Sequence, residues 1–278
     1  MIIAISGKIS SGKDTVGKIG QALIDFPLAT NENVLRIINS GTDNSSLQIK
    51  KFADTLKDMV CMFIGCTRQQ LEDADFKNTE LGEEWDCLIT TSSYGAKPEL
   101  SLIGSFEYTH TSKRKMTPRM LLQLLGTEYG RQILHPNIWI NALFSKYKGL
   151  CNCEKSPSVM LCFNCTGKKY PNWIITDMRF PNELEAVKSR GGITIRVNRT
   201  VEDVAYQLAV EKLGTSFTRD MLNAETISDM QQYINQRDNH ESETALDNAE
   251  FDYVINNSGT LEQLVEEVKL ILIKEKIL

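Results

Sequence analysis

The chain opens on Ile2, Ile3, Ala4 and Ile5, a continuous apolar run that ends at Ser6. A short run without polar alternation reads as a strand covered on both faces. A helical pattern follows from Lys13 to about Ile24, and residues 27–46, rich in Asn, Ser, Thr and Gly, read as loop. Residues 47–52 form a second strand candidate and 54–64 a helix, and Thr67 is placed to cap a short helix from Arg68. Between 78 and 115 the pattern is too weak to assign elements. It sharpens at Thr117-Pro118, a hydroxyl cap with proline at the first helical position, opening a helix that carries Leu121, Leu122, Leu124 and Leu125 towards Arg131. Pro136-Asn137 opens another, with Trp139, Leu143 and Phe144. After a stretch of cysteines and turn residues over 149–171, Trp173 to Thr176 reads as a strand ending at Asp177. A helix over 181–190 is stopped by Gly191-Gly192. Then come a strand over 193–197, a polar helical stretch over 200–236, a strand over 251–255 and an amphipathic helix over 260–273.

Strands alternating with helices predict an α/β fold, a mostly parallel sheet flanked by helices. The expected organisation is one domain over 1–278, with a cysteine-rich insertion at 149–171 and a lid-like helical segment at about 199–247. In such sheets ligands collect at the carboxyl ends of strands, where both Gly7 and Asp177 fall.

The segment after the first strand carries explicit chemistry. Gly7-Lys8-Ile9-Ser10-Ser11-Gly12-Lys13 has the Walker A spacing of a P-loop NTPase, after a strand and before a helix. The glycines let backbone N–H groups curl around phosphate oxygens, the helix N-terminus adds positive charge, and Lys13 reaches the β- and γ-phosphates. Gly7, Lys8, Ser10, Ser11, Gly12, Lys13, Asp14 and Thr15 are therefore the expected ATP-binding set. Asp14 stands where a Ser or Thr is usual, with Thr15 one step later. Asp14 is placed to serve Mg²⁺ directly or through water, leaving Thr15 for a phosphate.

Ile174-Ile175-Thr176-Asp177 sets a carboxylate at the end of an apolar strand, where an acid that attends Mg²⁺ is expected. Arg179 follows two residues on, and Glu183 at the start of a helix. An arginine beside an acid is also compatible with a surface ion pair, which stabilises little.

Several blocks resemble the phage deoxynucleoside monophosphate kinases. They are Gly12-Lys13-Asp14-Thr15, Phe52-Ala53-Asp54 with Leu56-Lys57, Thr117-Pro118-Arg119, and Leu125-Gly126-Thr127-Glu128 with Arg131. The resemblance continues through Thr176-Asp177-Met178-Arg179-Phe180-Pro181-Asn182-Glu183, His240-Glu241-Ser242-Glu243 and Asp252-Tyr253-Val254-Ile255-Asn256-Asn257. It covers nearly the whole chain in the family's order. The phosphate loop is shared by many NTPases; the blocks at 176–183 and 125–131 are far more specific. Two departures are Glu241, where the family commonly has proline, and the length of 200–236.

The resemblance implies transfer of phosphate from ATP to a deoxynucleoside monophosphate, with Mg²⁺, for nucleotide supply to DNA synthesis. Lys13, Arg131, Asp177 and Arg179 would be the catalytic set, with both arginines gripping phosphates and Asp14 and Asp177 attending magnesium. Lys57 and Arg119 would help hold the acceptor, and Phe52 and Glu183 fall in the substrate-binding blocks. Trp139 is a candidate to stack on a base, with core packing as the alternative. Asn256 and Gly259 lie in a segment that resembles an adenine-cradling loop and is also compatible with a plain strand-end turn.

A phosphate acceptor also suits the cations. A nucleoside monophosphate is mostly dianionic at pH 7, because its second pKa is about 6, so its oxygen needs no general base. What it needs is positive charge between two polyanions. Other readings are a small-molecule P-loop kinase of the dephospho-coenzyme A type, and a zinc-bearing nucleotide-binding module. The net charge of −5 and the arginine set speak against the last, and the net charge also speaks against a protein that coats nucleic acid.

Cys151-x-Cys153 and Cys162-x-x-Cys165 could supply four thiolates to a structural zinc; free thiols are the alternative, since the first pair is tighter than usual ribbon spacing. Cys61, Cys66 and Cys87 read as packing residues. Apolar residues make up 41%, enough for a real core, and no apolar run approaches the ~18 residues of a spanning helix. The first residues read as a strand and not a signal peptide, so the expected location is the cytoplasm, the host's if the chain is phage-encoded. A homodimer is left open.

Overall fold

The computed structural model describes residues 1–41, 45–95, 106–151, 168–213, 218–223, 225, 227, 228 and 241–278. The chain forms two compact units, one of Met1–Phe52 with Ile140–Leu278, the other of Ala53–Trp139.

The first unit is built on five strands: β1 (Ile2–Ser6), β2 (Leu47–Lys50), β3 (Asn172–Met178), β4 (Ile193–Asn198) and β5 (Tyr253–Asn256). They pair in the order β2-β3-β1-β4-β5, all parallel. The period-two rule of a strand assigns its residues to opposite faces. On β1, Ile3 and Ile5 enter one core with Ile174, Ile195, Val197 and Ile255, while Ile2 and Ala4 enter another with Trp173, Ile175 and Met178. Helices α1 (Lys13–Asp25), α2 (Asn31–Ser40) and α5 (Leu261–Lys274) carry the residues of the first core, among them Ile19, Leu23, Val34, Leu264 and Val268. Helix α3 (Pro181–Lys188) contributes Leu184 and Val187 to the second. The remaining labelled helix, α4 (Val201–Leu213), follows β4.

Helix α2 corrects the loop expected over 27–46. Thr30 caps it by accepting from the Asn33 amide, and Val34, Leu35, Ile37 and Ile38 pack into the first core. Its asparagines mimic loop composition, but the apolar spacing is helical. The strand expected over 47–52 is paired only to Lys50. Of the lid-like stretch, 201–213 and 241–244 are helical, and residues 214–217, 224, 226 and 229–240 lie outside the described residues.

The second unit holds helices Asp54–Ile64, Arg68–Glu72 and Ala74–Asn78, the first two at the expected positions, with Thr67 and Gln70 forming a reciprocal cap. The unassigned stretch contains an antiparallel ribbon, Cys87–Gly95 paired with Phe106–Arg114. Thr117 caps the helix Pro118–Gln123, which runs on as Leu124–Leu134 in a wider winding with i→i+5 hydrogen bonds, a form found often at functional sites. Leu56, Val60, Leu71 and Trp139 make this unit's own core.

One contact sets how closely α1 lies on the sheet. A Cβ added at Gly17 would meet Thr176 Cγ2 at 2.5 Å. Gly17→Val should therefore destabilise the fold by about 1–3 kcal/mol despite its better helix propensity. Urea denaturation reads this as a lower midpoint, and an unchanged midpoint would show that helix and strand have room to part.

Candidate active site

The phosphate loop, Asp177 and Arg179 lie at the carboxyl ends of parallel strands. After β1 the loop turns through Ser10 at φ 59° and Gly12 at φ 94°, left-handed conformations that favour glycine at position 12. A Cβ there would also stand 2.3 Å from Asn257 Nδ2. Side chains from elsewhere in the fold fasten the loop: Asn257 Nδ2 donates to Ser11 O at 2.9 Å, Arg199 Nη1 to Ser10 O at 3.2 Å, and the Ile9 amide donates to Glu243 Oε2 at 3.0 Å. Ser11 Oγ is buried with no hydrogen-bond partner among the described residues. This orphaned hydroxyl inside a curled, glycine-dependent loop fits a nucleotide phosphate as the missing partner.

Lys13 Nζ donates to Lys8 O at 3.2 Å. Burial pushes its pKa down to about 8, helped by repulsion from Arg179 and Lys51 and opposed by Asp14 and Asp177. The Asp14 carboxylate accepts from Thr176 Oγ1 at 2.8 Å and pairs with Lys51 Nζ at 2.9 Å. Burial by itself would raise its pKa, but Lys51, Thr176 and Lys13 together hold it below the usual range.

At the end of β3, Asp177 Oδ1 accepts from the Phe52 amide at 2.7 Å. Arg179 is held twice. Its amide donates to Glu183 Oε2 at 2.7 Å, and its guanidinium pairs with Glu243. Glu183 also accepts from the Phe180 amide at 3.1 Å and is 1% exposed. A cavity of about 500 Å³ opens beside β5, lined by Asn256, Asn257, Gly259, Thr260, Gln263 and Asn31 among others.

Strand–loop–helix, a lysine at the start of the helix, and an acid and arginine at the neighbouring strand end are an arrangement that could receive a nucleotide phosphate. No family model matches the chain. The deoxynucleoside-5'-monophosphate kinase of Escherichia phage T5 is 36% identical to it over 204 residues, 68% of this chain and 72% of the phage protein. The chain belongs to the deoxynucleoside monophosphate kinase family.

For a member of that family, the first unit gathers Gly7, Lys8, Ser10, Ser11, Gly12, Lys13, Asp14, Thr15, Phe52, Asp177, Arg179, Glu183, Asn256 and Gly259. The other residues expected at the site belong to the second unit. There Lys57 pairs with Glu72 at 2.6 Å, Arg119 Nε donates to Asn78 Oδ1 at 2.7 Å, and Arg131 lies in the wide helical winding. Trp139 is a core residue rather than an open stacking face: it is 5% exposed, and its indole N–H donates to Gly126 O at 2.8 Å. Glu183 likewise caps a helix and anchors the Arg179 backbone, which uses its carboxylate inside the protein. Cys153, Cys162 and Cys165 lie outside the described residues, as does the side chain of Cys151.

The sequence pattern passed over four residues that touch the site: Lys51, Arg199, Glu243 and Asn257. Lys51 adjoins Phe52, and Glu243 and Asn257 lie within blocks of the family resemblance without having been given a role there. Arg199 follows the last residue of β4, a strand-end position that could have marked it.

Removing the buried charge should stabilise the nucleotide-free protein. Below pH 8, Lys13 is protonated in both folded and unfolded states, and the cost of burying the charge is present in full. Between about pH 8 and the model-peptide value near 10.4 the folded state loses its proton first, and the cost fades. Lys13→Met should thus raise Tm at pH 7 on the order of 2–4 °C, with a smaller gain at pH 9.5. Paired melting curves check this; a variant that melts lower at pH 7 would mean that Lys13 stabilises the empty loop.

Proposed function

We propose that the chain transfers the γ-phosphoryl group of ATP to a deoxynucleoside monophosphate, giving a deoxynucleoside diphosphate and ADP. The observation that carries this is the convergence of Lys13 and Arg179 on a phosphate loop whose Ser11 hydroxyl has no partner among the described residues. Family membership names the acceptor class.

The chemistry asks little of the protein beyond position and charge. An acceptor phosphate oxygen forms a bond to the γ-phosphorus as the bond to the β–γ bridging oxygen breaks, and ADP leaves. The acceptor is mostly dianionic at pH 7, so no side chain need remove a proton. Lys13 takes charge on the transferring group, and Arg179 faces the same group from the end of β3. Arg131 is a second phosphate-gripping arginine on the strength of family membership. Lys57 and Arg119 keep the acceptor-holding roles that the same membership suggests. Asp14 and Asp177 are the carboxylates that would attend Mg²⁺, which would supply charge neutralisation between the phosphates. One or two carboxylates with the rest of the shell from phosphate and water is the usual arrangement for that ion. The cavity lined by Asn256, Asn257, Gly259 and Thr260 lies within the size range of ligand pockets and suits the adenine of ATP.

A coupled assay for ADP release, run with a panel of ribo- and deoxynucleoside monophosphates, tests the reading. Release should require a monophosphate and favour the deoxy forms; equal release without an acceptor would indicate an ATPase. Arg179→Ala and Arg131→Ala should each lower kcat on the order of 10²-fold or more. A change confined to KM would reduce either residue to a binding role.

A structural zinc held by Cys151, Cys153, Cys162 and Cys165 is a separate proposal, supported by their spacing alone. Protein purified without chelator should carry one zinc per chain, and the Cys162→Ser/Cys165→Ser variant should carry none. Equal zinc in both would refute it. No helix among the described residues is long and apolar enough to cross a membrane, and the proposed place of action is the cytoplasm.

A further inference from the structure

The mechanism above leaves one buried carboxylate at the site without a task. Glu243 lies in the short helix Glu241–Thr244 and is 5% exposed. Burying a carboxylate is unfavourable unless it is both paired and hydrogen-bonded. Glu243 meets both conditions with groups of the phosphate site itself. Its Oε2 accepts from the Ile9 amide in the loop at 3.0 Å, and its Oε1 pairs with the guanidinium of Arg179.

The two partners come from different strand ends. Ile9 follows β1 and Arg179 follows β3, so a single side chain spans the loop and the arginine that faces it. The backbone of Arg179 is fixed separately, through the Glu183 carboxylate. The side chain is long and must also be directed, and a like charge stands near it. Arg179 is close enough to Lys13 to disfavour the lysine's positive charge. Without a counter-charge the guanidinium would swing away from the loop. A carboxylate that pairs with Arg179 and is itself tied to the loop opposes that swing.

We propose that Glu243 is a positioning residue, fixing the Arg179 guanidinium against the phosphate loop through its shared contact with the Ile9 amide. The proposal rests on the kinase reading above. It differs in sign from the view that the carboxylate is a stand-in for phosphate that must leave before ATP binds. A stand-in lowers turnover when present; a positioning residue raises it.

The test is a double-mutant cycle on the full chain, with Glu243→Gln, Arg179→Ala and both together. Glu243→Gln keeps the shape and a carbonyl for the Ile9 amide but loses the charge. Its kcat should fall about tenfold or more, since small misplacements of a catalytic group are costly, with KM for ATP changed much less. Added to Arg179→Ala, it should have almost no further effect, because its partner is already gone. Wild-type kcat, a higher kcat, or the same factor lost in both backgrounds would each overturn the proposal. If Glu243→Gln alone does not fold, the double variant, which removes both charges, should; failure of both would mark Glu243 as merely structural and overturn the proposal. Amide hydrogen exchange at Ile9 reads the tie independently of turnover. It should accelerate in Glu243→Ala, and unchanged exchange would refute the tie. A wild type that releases no ADP with any monophosphate would sink the kinase reading instead, while the exchange result still decides the tie.

Discussion

Positive charge held in a half-dry loop before any phosphate arrives is the constraint around which this structure is arranged. Lys13, Lys51, Arg179 and Arg199 all stand at the carboxyl end of one sheet, and burial is the largest cause that lowers the Lys13 pKa to about 8. The site supplies partial compensation from fixed groups. Asp14 pairs with Lys51, Glu243 pairs with Arg179, and loop carbonyls accept from Lys13 and Arg199. Cations held in place before the reaction are the condition under which electrostatic stabilisation of a transferring phosphoryl group is most effective. The arrangement is unfavourable to the empty fold and favourable to the loaded one, a trade common at active sites.

The sheet makes such a concentration possible. With β3 and β4 on either side of β1, the loop after β1 sits where strand order reverses, between the ends of both neighbours. Close approach of α1 at Gly17 brings the first helical turn to β3, so that Thr176 on the strand hydrogen-bonds Asp14 on the helix. The strand that buries Ile174 on one face and Ile175 on the other carries Asp177 near its carboxyl end and Arg179 just beyond it, at the end where the loop lies.

Much of this was legible in the residues. The β1 run, the glycine spacing and the caps at Thr67 and Thr117 each have a local cause, and local causes survive into the fold. Helix α2 was hidden because asparagine and serine serve helix surfaces and loops alike; only the spacing of Val34, Leu35, Ile37 and Ile38 tells them apart. The ribbon over Cys87–Gly95 and Phe106–Arg114 gave no signal because polar Thr, Ser and His fill positions that would otherwise alternate. The site residues that escaped are those whose partners are distant in sequence. Glu243 meets Ile9 across 234 positions, and Asn257 meets Ser11 across 246. Trp139 and Glu183 show the reverse case, polar or aromatic groups that look functional in sequence and are used for internal hydrogen bonds.

The most direct test of this electrostatic account is titration of the Lys13 ammonium in the nucleotide-free protein, followed by NMR of isotopically labelled lysine and assigned with Lys13→Met. The account predicts a midpoint near 8 that moves upward when ADP occupies the loop, because phosphate replaces the missing counter-charge. A midpoint at the ordinary lysine value near 10.4, unmoved by nucleotide, would contradict it.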